Sequence, residues 1–474
     1  MRKSSRILRT PVLILCVACI LVQVSPLWAQ ESDISIDIDM EALFEEDVIE
    51  ASDAPDSSIA NPVSSILKRD GVRIGGNFNS SANLQATWSN LWDGSSTLAD
   101  PEDKKLSKAL GATIFFDARP HEDFRVYGSV KTAWPFSETD SLSIEVPNLS
   151  IFELFSDVAI DDRVFIRFGK STVKWGVGYF WSPADVVNLD SINIFDTEAQ
   201  REGPVNIRIH IPFLGTQNNM YLYSIFDQDD VDFDTTALAL RAEFLLGTYE
   251  LGIGGYYRAD TAERAMLTLT GPVGSFDIFG EAMISRGSAK TFISSIQTSS
   301  PWTIMPKPES DIRNQVFFSA SAGFLYSSSK DNLTVLGQYY YNGEGYSEAE
   351  RELLVSDAKI ALAGAAFFGT ESDVSRLGRA LSGLILGSGR HYGGFSLSKS
   401  EVFHKKLSLS ALIVANLSDL SGIVKPTATW KATDNLSLAL SPTFIFGPDD
   451  GEYSFLAGGN IVSVSLGATL KGSF

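Results

Sequence analysis

Residues 460–474 read NIVSVSLGATLKGSF, and they alternate. Val462, Val464, Leu466, Ala468, Leu470 and Phe474 fall on one parity, while Ser463, Ser465, Gly467, Thr469, Lys471 and Ser473 fall on the other. Side chains of an extended strand point to opposite faces with a period of two, so this segment has one apolar and one polar face. The apolar face has to be covered by something. Lipid on one side and a water-filled interior on the other satisfy both faces at once. A strand of a soluble sandwich satisfies them as well, so the rest of the chain decides.

The same pattern runs back to Val72. There Val72, Ile74, Gly76, Phe78, Ala82, Leu84, Ala86 and Trp88 share a parity, opposed by Arg73, Asn77, Asn79, Ser81, Asn83, Gln85 and Thr87. Two-faced segments then recur at 108–118, 124–134, 148–160, 163–173, 203–214, 218–226, 235–246, 248–258, 262–271, 274–285, 315–327, 332–342, 390–400, 406–417, 423–431 and 435–446. This makes about eighteen strands, each of roughly the 9–11 residues that cross a bilayer when tilted. Every even-to-odd connection is a tight turn, and most odd-to-even connections are longer and more polar. Membrane barrels keep short turns at one end and long loops at the other, whereas a sandwich has no reason to hold that alternation along the whole chain. The expected fold is all-β: a transmembrane antiparallel up-and-down β-barrel of about 18 strands over 71–474, with outer-membrane lipid on its outer face. Trp88, Trp134, Tyr256, Tyr257, Tyr339 and Tyr341 lie near strand ends, where interfacial girdles form.

The first residues point to export. Arg2, Lys3, Arg6 and Arg9 precede the apolar run 12–22, and Leu27-Trp28-Ala29 precede Gln30, so 1–29 reads as a secretory signal. Its apolar run, about 11 residues, is too short to span a bilayer as a helix. Cys16 and Cys19 both fall inside it, so the mature chain is expected to carry no disulfide, thiol chemistry or cysteine metal site. Loss of the signal's four basic residues takes the formal charge from −20 to −24, which disfavours nucleic acid as a partner. Residues 30–70 form an acidic extension and linker, with eleven acidic and no basic residues over 31–56. This segment is either a solvated tail or a docking peptide for a periplasmic partner, anchored by Ile34, Ile36, Ile38, Met40 and Phe44.

A two-faced terminal strand that ends on Phe474 resembles the last strand of bacterial outer-membrane β-barrel proteins. The resemblance implies that Phe474 is part of the signal read by the β-barrel assembly machinery. A second resemblance lies in 169–188, GKSTVKWGVGYFWSPADVVN, preceded by Arg163-Val-Phe-Ile-Arg-Phe and flanked by Glu153-Leu-Phe and Arg201-Glu-Gly-Pro204. This pattern resembles porin-like outer-membrane families, including the alginate-export type and uncharacterised relatives, and it is specific over 152–204 only. It implies a substrate-selective channel without identifying the substrate.

About eighteen strands enclose more space than side chains fill, so the inward parity can be read for charge. It carries Arg125, Lys131, Arg163, Arg167, Arg208, His210 and Arg241, with Glu243 nearby. Such a wall favours small polar or anionic solutes, unless it is salt-bridged to acidic loops. The loop bearing Lys174, Trp175, Tyr179, Phe180 and Trp181 is too apolar for external water. Folded into the barrel it would form a constriction, or a plug. Asp185, Asp190, Asp196, Glu198 and Glu202 would then face the basic wall and set up a transverse field. In the longest connection, Val374, Leu377, Leu381, Leu384 and Ile385 recur at helical spacing, with Ser372 as N-cap and Gly387 as stop; 348–368 reads as a second helix.

Enzyme readings find little support. The sequence contains no G-x-S-x-G or H-E-x-x-H motif. Its four histidines, His121, His210, His391 and His404, are scattered, and the carboxylate run 227–234 lacks the Gly and Glu of an EF-hand loop. No catalytic residue, metal or cofactor is expected. The function expected is a porin-like channel for diffusion or transport of small polar, even anionic, solutes. The alternative is a structural or adhesive surface barrel with a closed lumen.

Overall fold

The computed structural model describes residues 72–89, 101–121, 123–138, 145–161, 163–173, 175–187, 192, 201–226, 235–259 and 261–474. The signal (1–29), the acidic extension (30–70), Lys174, Asp190, Asp196, Glu198 and the run 227–234 lie outside these residues.

The strands are β1 (Val72–Ser89), β2 (Asp103–His121), β3 (Phe124–Glu138), β4 (Glu145–Ile160), β5 (Val164–Lys170), β6 (Val205–Pro212), β7 (Asn219–Ile225), β8 (Ala237–Leu246), β9 (Tyr249–Tyr257), β10 (Glu263–Val273) and β11 (Phe276–Arg286). A short hairpin, β12 (Ile293–Ile296) and β13 (Ile304–Pro306), and helix α1 (Glu309–Asn314) follow, then β14 (Val316–Ser328) and β15 (Leu333–Tyr341). Helices α2 (Glu348–Phe368) and α3 (Glu371–Ile385) lead to β16 (His391–Lys399), β17 (Leu407–Asn416), β18 (Ser421–Lys431) and β19 (Leu436–Phe446); α4 (Glu452–Ala457) precedes β20 (Ile461–Ser473). Apart from β12 and β13, which pair with each other, the strands form one 18-stranded sheet. Each pairs antiparallel with its neighbour in the chain, and β20 returns to pair with β1, so the sheet closes. No described helix is long and apolar enough to cross a membrane.

Closure is built on the last strand. Leu84 and Leu466 stand opposite each other across the β1–β20 seam, and Phe474 exchanges backbone hydrogen bonds with Gly76 at 3.0 and 3.1 Å. Outward positions are apolar around the barrel: Leu84 is 55% exposed, Leu106 66%, Leu238 53% and Leu466 52%. Polar luminal partners alternate with them, as Ser465 and Gln85 do beside Leu466 and Leu84. So much exposed aliphatic surface in a continuous belt is what a lipid-facing wall requires.

The wall is uneven. Strands β1 to β4 run 15 to 19 residues, while β5 and β7 have seven each. At the usual rise this is roughly 60 Å of chain in β2 against roughly 23 Å in β7. The sequence reading shortened β2 to 108–118 because 103–107 is polar, a part that pairs with β1 alone. In β4 the register slips at Phe152: Ser129 faces Glu153 while Val130 faces Ile151. This bulge changes the parity, so Ile151 and Leu154 both point outward. The turns are short at one end, as between β8 and β9, where Gly247 takes φ +69° in a two-residue link. Two girdle assignments change. Tyr256 packs inward beside its neighbour Tyr257, which is exposed, and Trp88 is buried.

The helices fall as the periodicity predicts, α2 over 348–368 and α3 ending before Gly387, which takes φ +60°. The N-cap of α3 is Thr370 rather than Ser372. Thr370 and Asp373 form a reciprocal capping box, which Ser372 has no matching acid to build. The β12–β13 hairpin, α1 and α4 are three to six residues long, too short for any periodicity to register.

Leu466→Arg should cost the folded barrel about 2–4 kcal/mol if its site lies near the bilayer midplane. Ser465→Arg, one residue along on the luminal face, should cost much less. Urea midpoints of the heat-modifiable band measure both, and equal losses would show the faces to be misassigned.

The candidate pore

The connection between β5 and β6 enters the barrel. Trp175 is buried at 1% exposure among Val173, Ala184, Val187, Tyr223, Ala239 and Met266, with its ring edge-on to Tyr223 at 5.5 Å. Arg241 of β8 donates to the Trp175 carbonyl and pairs with Glu243 at 2.8 Å. Arg241, read from sequence as a solute-facing cation, is therefore a buried strut for this loop.

One carboxylate holds the next turn of chain. Glu281 of β11 accepts from the Val177 amide, from the Gly178 amide at 2.6 Å, from the Ala184 amide at 2.9 Å, and from Ser182 Oγ at 2.9 and 3.1 Å. Gln338 of β15 holds the tip: its Oε1 accepts from the Tyr179 and Phe180 amides at 3.1 and 2.8 Å, and its Nε2 donates to the Trp181 carbonyl at 2.6 Å. Irregular backbone inside a barrel must find such partners, because each unmet donor away from water costs about 1–3 kcal/mol. Phe180 then packs among Phe279, Leu336, Leu412, Val414, Ile423 and Tyr453. The ring comes so close to Gly394 of β16 that a Cβ there would lie 2.4 Å from it. Trp181 stacks on Tyr340 at 6.0 Å. The segment thus binds an arc of wall from β7 to β18.

The return leg uses its own charges. Asp185 pairs with Arg201 and Glu202 with Lys170. The sequence pattern predicts these two acids facing the basic wall across the lumen. Instead they fasten the two legs of the loop, because partners close in sequence cost less entropy to bring together than a distant wall.

The arc from β2 to β6, which the described residues 175–187 do not cover, carries the basic residues, and they are not alone. Arg125 forms a bidentate pair with Asp117 at 2.8 and 3.1 Å and lies 3.8 Å from Asp157. Arg167 forms a second bidentate pair with Asp157 at 2.7 and 3.0 Å, and its guanidinium sits 3.8 Å from the Phe155 ring centre. Arg208 is directly opposite Arg167 in the β5–β6 register. Among the described residues Arg208 has no carboxylate partner, and its buried Nε has no acceptor. The row Asp117–Arg125–Asp157–Arg167–Arg208 therefore holds three positive and two negative charges, with the surplus at Arg208.

Aromatic rings border the row. Phe115, Tyr127 and Phe155 stack across β2, β3 and β4 at 6.2 and 5.2 Å. His210 stacks on Tyr221 at 4.5 Å and is 2.9 Å from Asn219 Oδ1. Lys131 stands over Phe152 at 3.4 Å, while Arg163 is exposed in the β4–β5 turn, away from the row. Asp117 and Asp157 were the residues that sequence reading missed. Scanning the inward parity for both signs finds Asp117, but Asp157 comes into line only through the bulge at Phe152.

The chain is a closed 18-stranded antiparallel β-barrel with an aliphatic outer belt and an inward-folded connection between β5 and β6. No family model matches its sequence, and no curated protein does. Among solved structures it is similar to the outer membrane protein OpdK from Pseudomonas aeruginosa, at 8% identity over 85% of this chain and 99% of that one, with a TM-score of 0.45. It is also similar to OccAB1 from Acinetobacter baumannii (10% identity, 85% and 97% covered, TM-score 0.45) and to OmpF from Salmonella typhi (10% identity, 85% and 98% covered, TM-score 0.40).

Glu281→Ala should free the loop selectively. Amide hydrogen exchange over 175–187 is expected to speed up while the barrel strands keep their protection, with a smaller effect for Glu281→Gln. Unchanged protection of 175–187 in the alanine variant would show that this carboxylate is not what holds the segment.

Proposed function

We propose that the barrel is an outer-membrane channel for small polar solutes, narrowed on one side by the bound segment 175–187. The observation that carries this reading is the division of the inner wall. One arc is filled by a hydrogen-bonded shelf, and the facing arc keeps a row of charged and aromatic side chains. A polar path of this kind sustains passage of hydrated solutes, with orientation and charge selection at the row. Asp117 and Asp157 offset Arg125 and Arg167, leaving Arg208 without a carboxylate partner among the described residues and the exposed Arg119 sharing Asp117, so any preference for anions is weak. Trp175, Tyr179, Phe180 and Trp181 act here as the shelf's anchors, and Lys131 and His210 as flanking polar groups.

Further parts of the reading concern delivery. Residues 1–29 would direct export, 30–70 would lie in the periplasm and meet a partner there, and Phe474 would serve the assembly machinery. A second reading, a structural or adhesive barrel with a closed lumen, draws support from the helical connection 342–390, which shares a hydrophobic core with residues of 287–315.

Planar-bilayer recording separates the two. The channel reading expects discrete conductance, a larger conductance on deletion of 177–184, and a shift of reversal potential toward cations in Arg208→Ser. Silence from both the wild type and the deletion would leave the closed barrel as the function.

A further inference from the structure

Residues of 287–315, α2 and α3 share a hydrophobic core that includes Phe292, Trp302, Leu354, Leu362, Leu377 and Leu384. This cap is joined to the ends of β16, β17 and β18 through a compact polar node. Glu452 of α4 lies at its centre. Its Oε1 accepts from the Gly387 amide, just past α3, at 3.0 Å. Its Oε2 accepts from Tyr392 Oη of β16 at 2.9 Å and from Asn416 Nδ2 of β17 at 2.8 Å. The same Asn416 Nδ2 lies 3.1 Å from Asp419 Oδ2, so one amide nitrogen serves two carboxylates. Asp419 also accepts from the Glu452 amide at 3.0 Å and from the Ser421 amide and hydroxyl at 3.0 and 2.6 Å.

The charges do not balance. Arg351 of α2 reaches Asp419 at 3.1 Å and the Asp450 carbonyl at 2.8 Å. Lys359, also of α2, is 3.3 Å from Asp450 Oδ2 instead. Lys290, from the connection after β11, donates to the Glu344 carbonyl at 3.3 Å and acts on Glu452 only through space. Two closely placed carboxylates, Asp419 with a buried side chain and Glu452 partly buried, thus share one direct cation, and one excess negative charge remains in a poorly hydrated node.

We propose that Glu452, packed beside Asp419, is a proton-sensitive latch between the cap and the barrel rim, tight when Glu452 holds a proton and looser when it is ionised. Burial raises the pKa of Glu452 above the ordinary 4.5, the hydrogen bonds from Gly387, Tyr392 and Asn416 pull it partly back, and the Asp419 charge pushes it up again. The sign follows from linkage. A carboxyl whose value is raised in the latched state binds more protons there than in the released state, so the latch is at full strength below 4.5 and weakens as pH climbs from 4.5 through the raised value. The node depends on the fold alone and holds whether or not the lumen conducts.

Hydrogen exchange on the full-length protein in lipid nanodiscs, corrected for intrinsic rates, tests this between pH 4 and 8. Protection of α2 and α3 relative to the barrel strands should fall with pH, by up to about tenfold for each unit by which the latched value is raised. Glu452→Gln should hold the low-pH level throughout. Tyr392→Phe removes a hydrogen bond that favours the ionised form, and should move the midpoint to higher pH. Should Glu452→Gln fail to fold, the Tyr392→Phe midpoint decides. Equal pH responses in wild type and Glu452→Gln, or an unmoved midpoint in Tyr392→Phe, would overturn the latch.

Discussion

Everything in this molecule depends on one constraint: backbone amides and carbonyls inside a bilayer must be paired within the protein. The chain meets it by making each strand the hydrogen-bonded neighbour of the next and by joining β20 to β1. An open sheet would leave two unpaired edges in hydrocarbon. The seam that closes the sheet is paired from Asn77–Ser473 to Ser89–Ile461, and Gly76 and Phe474 sit at its end. The aliphatic belt that would be a liability in water becomes the matching surface to lipid.

The same constraint works in reverse inside the barrel. A connection that turns inward brings peptide groups into a space where the strands have already spent theirs. Glu281 and Gln338 supply side-chain acceptors and donors at fixed heights, and together they meet the peptide groups of Val177 to Trp181 and Ala184. A carboxylate is well suited to the role, since charge-assisted bonds are the stronger kind and one group takes several donors. The shelf is accordingly a part of the wall rather than a loose flap.

The wall it leaves open is electrically quieter than its arginines suggest. Bidentate pairing with Asp117 and Asp157 fixes Arg125 and Arg167 in place and cancels most of their field at a distance. Among the described residues Arg208 has no carboxylate partner and stands next to a second cation across the register, while Arg119 shares Asp117 with Arg125 at 3.5 Å. Like charges directly opposite are unfavourable, so this position carries an electrostatic cost that its neighbours do not. At the rim the imbalance has the other sign, with Glu452 and Asp419 around one Arg351.

The sequence by itself determined the barrel. The alternation of Leu84, Leu466 and their neighbours, the even strand count and the short-turn end are local signals, repeated often enough that errors in any one strand do not matter. Helices α2 and α3 were legible for the same reason, since Leu377, Leu381 and Leu384 mark one face without reference to the rest of the chain. The inward turn of the loop was foreseen from the rings of Trp175, Phe180 and Trp181, but not what holds it. Glu281 lies 97 to 104 residues and Gln338 157 to 159 residues beyond their partners in the loop. Nothing in local periodicity connects them. The neutralising role of Asp157 likewise hung on a bulge at Phe152, a one-residue slip that composition cannot register and that turns a parity inside out. Tertiary structure alone decided which charges are paired, because pairing depends on register across strands, whereas the pattern that makes a strand depends only on its own residues.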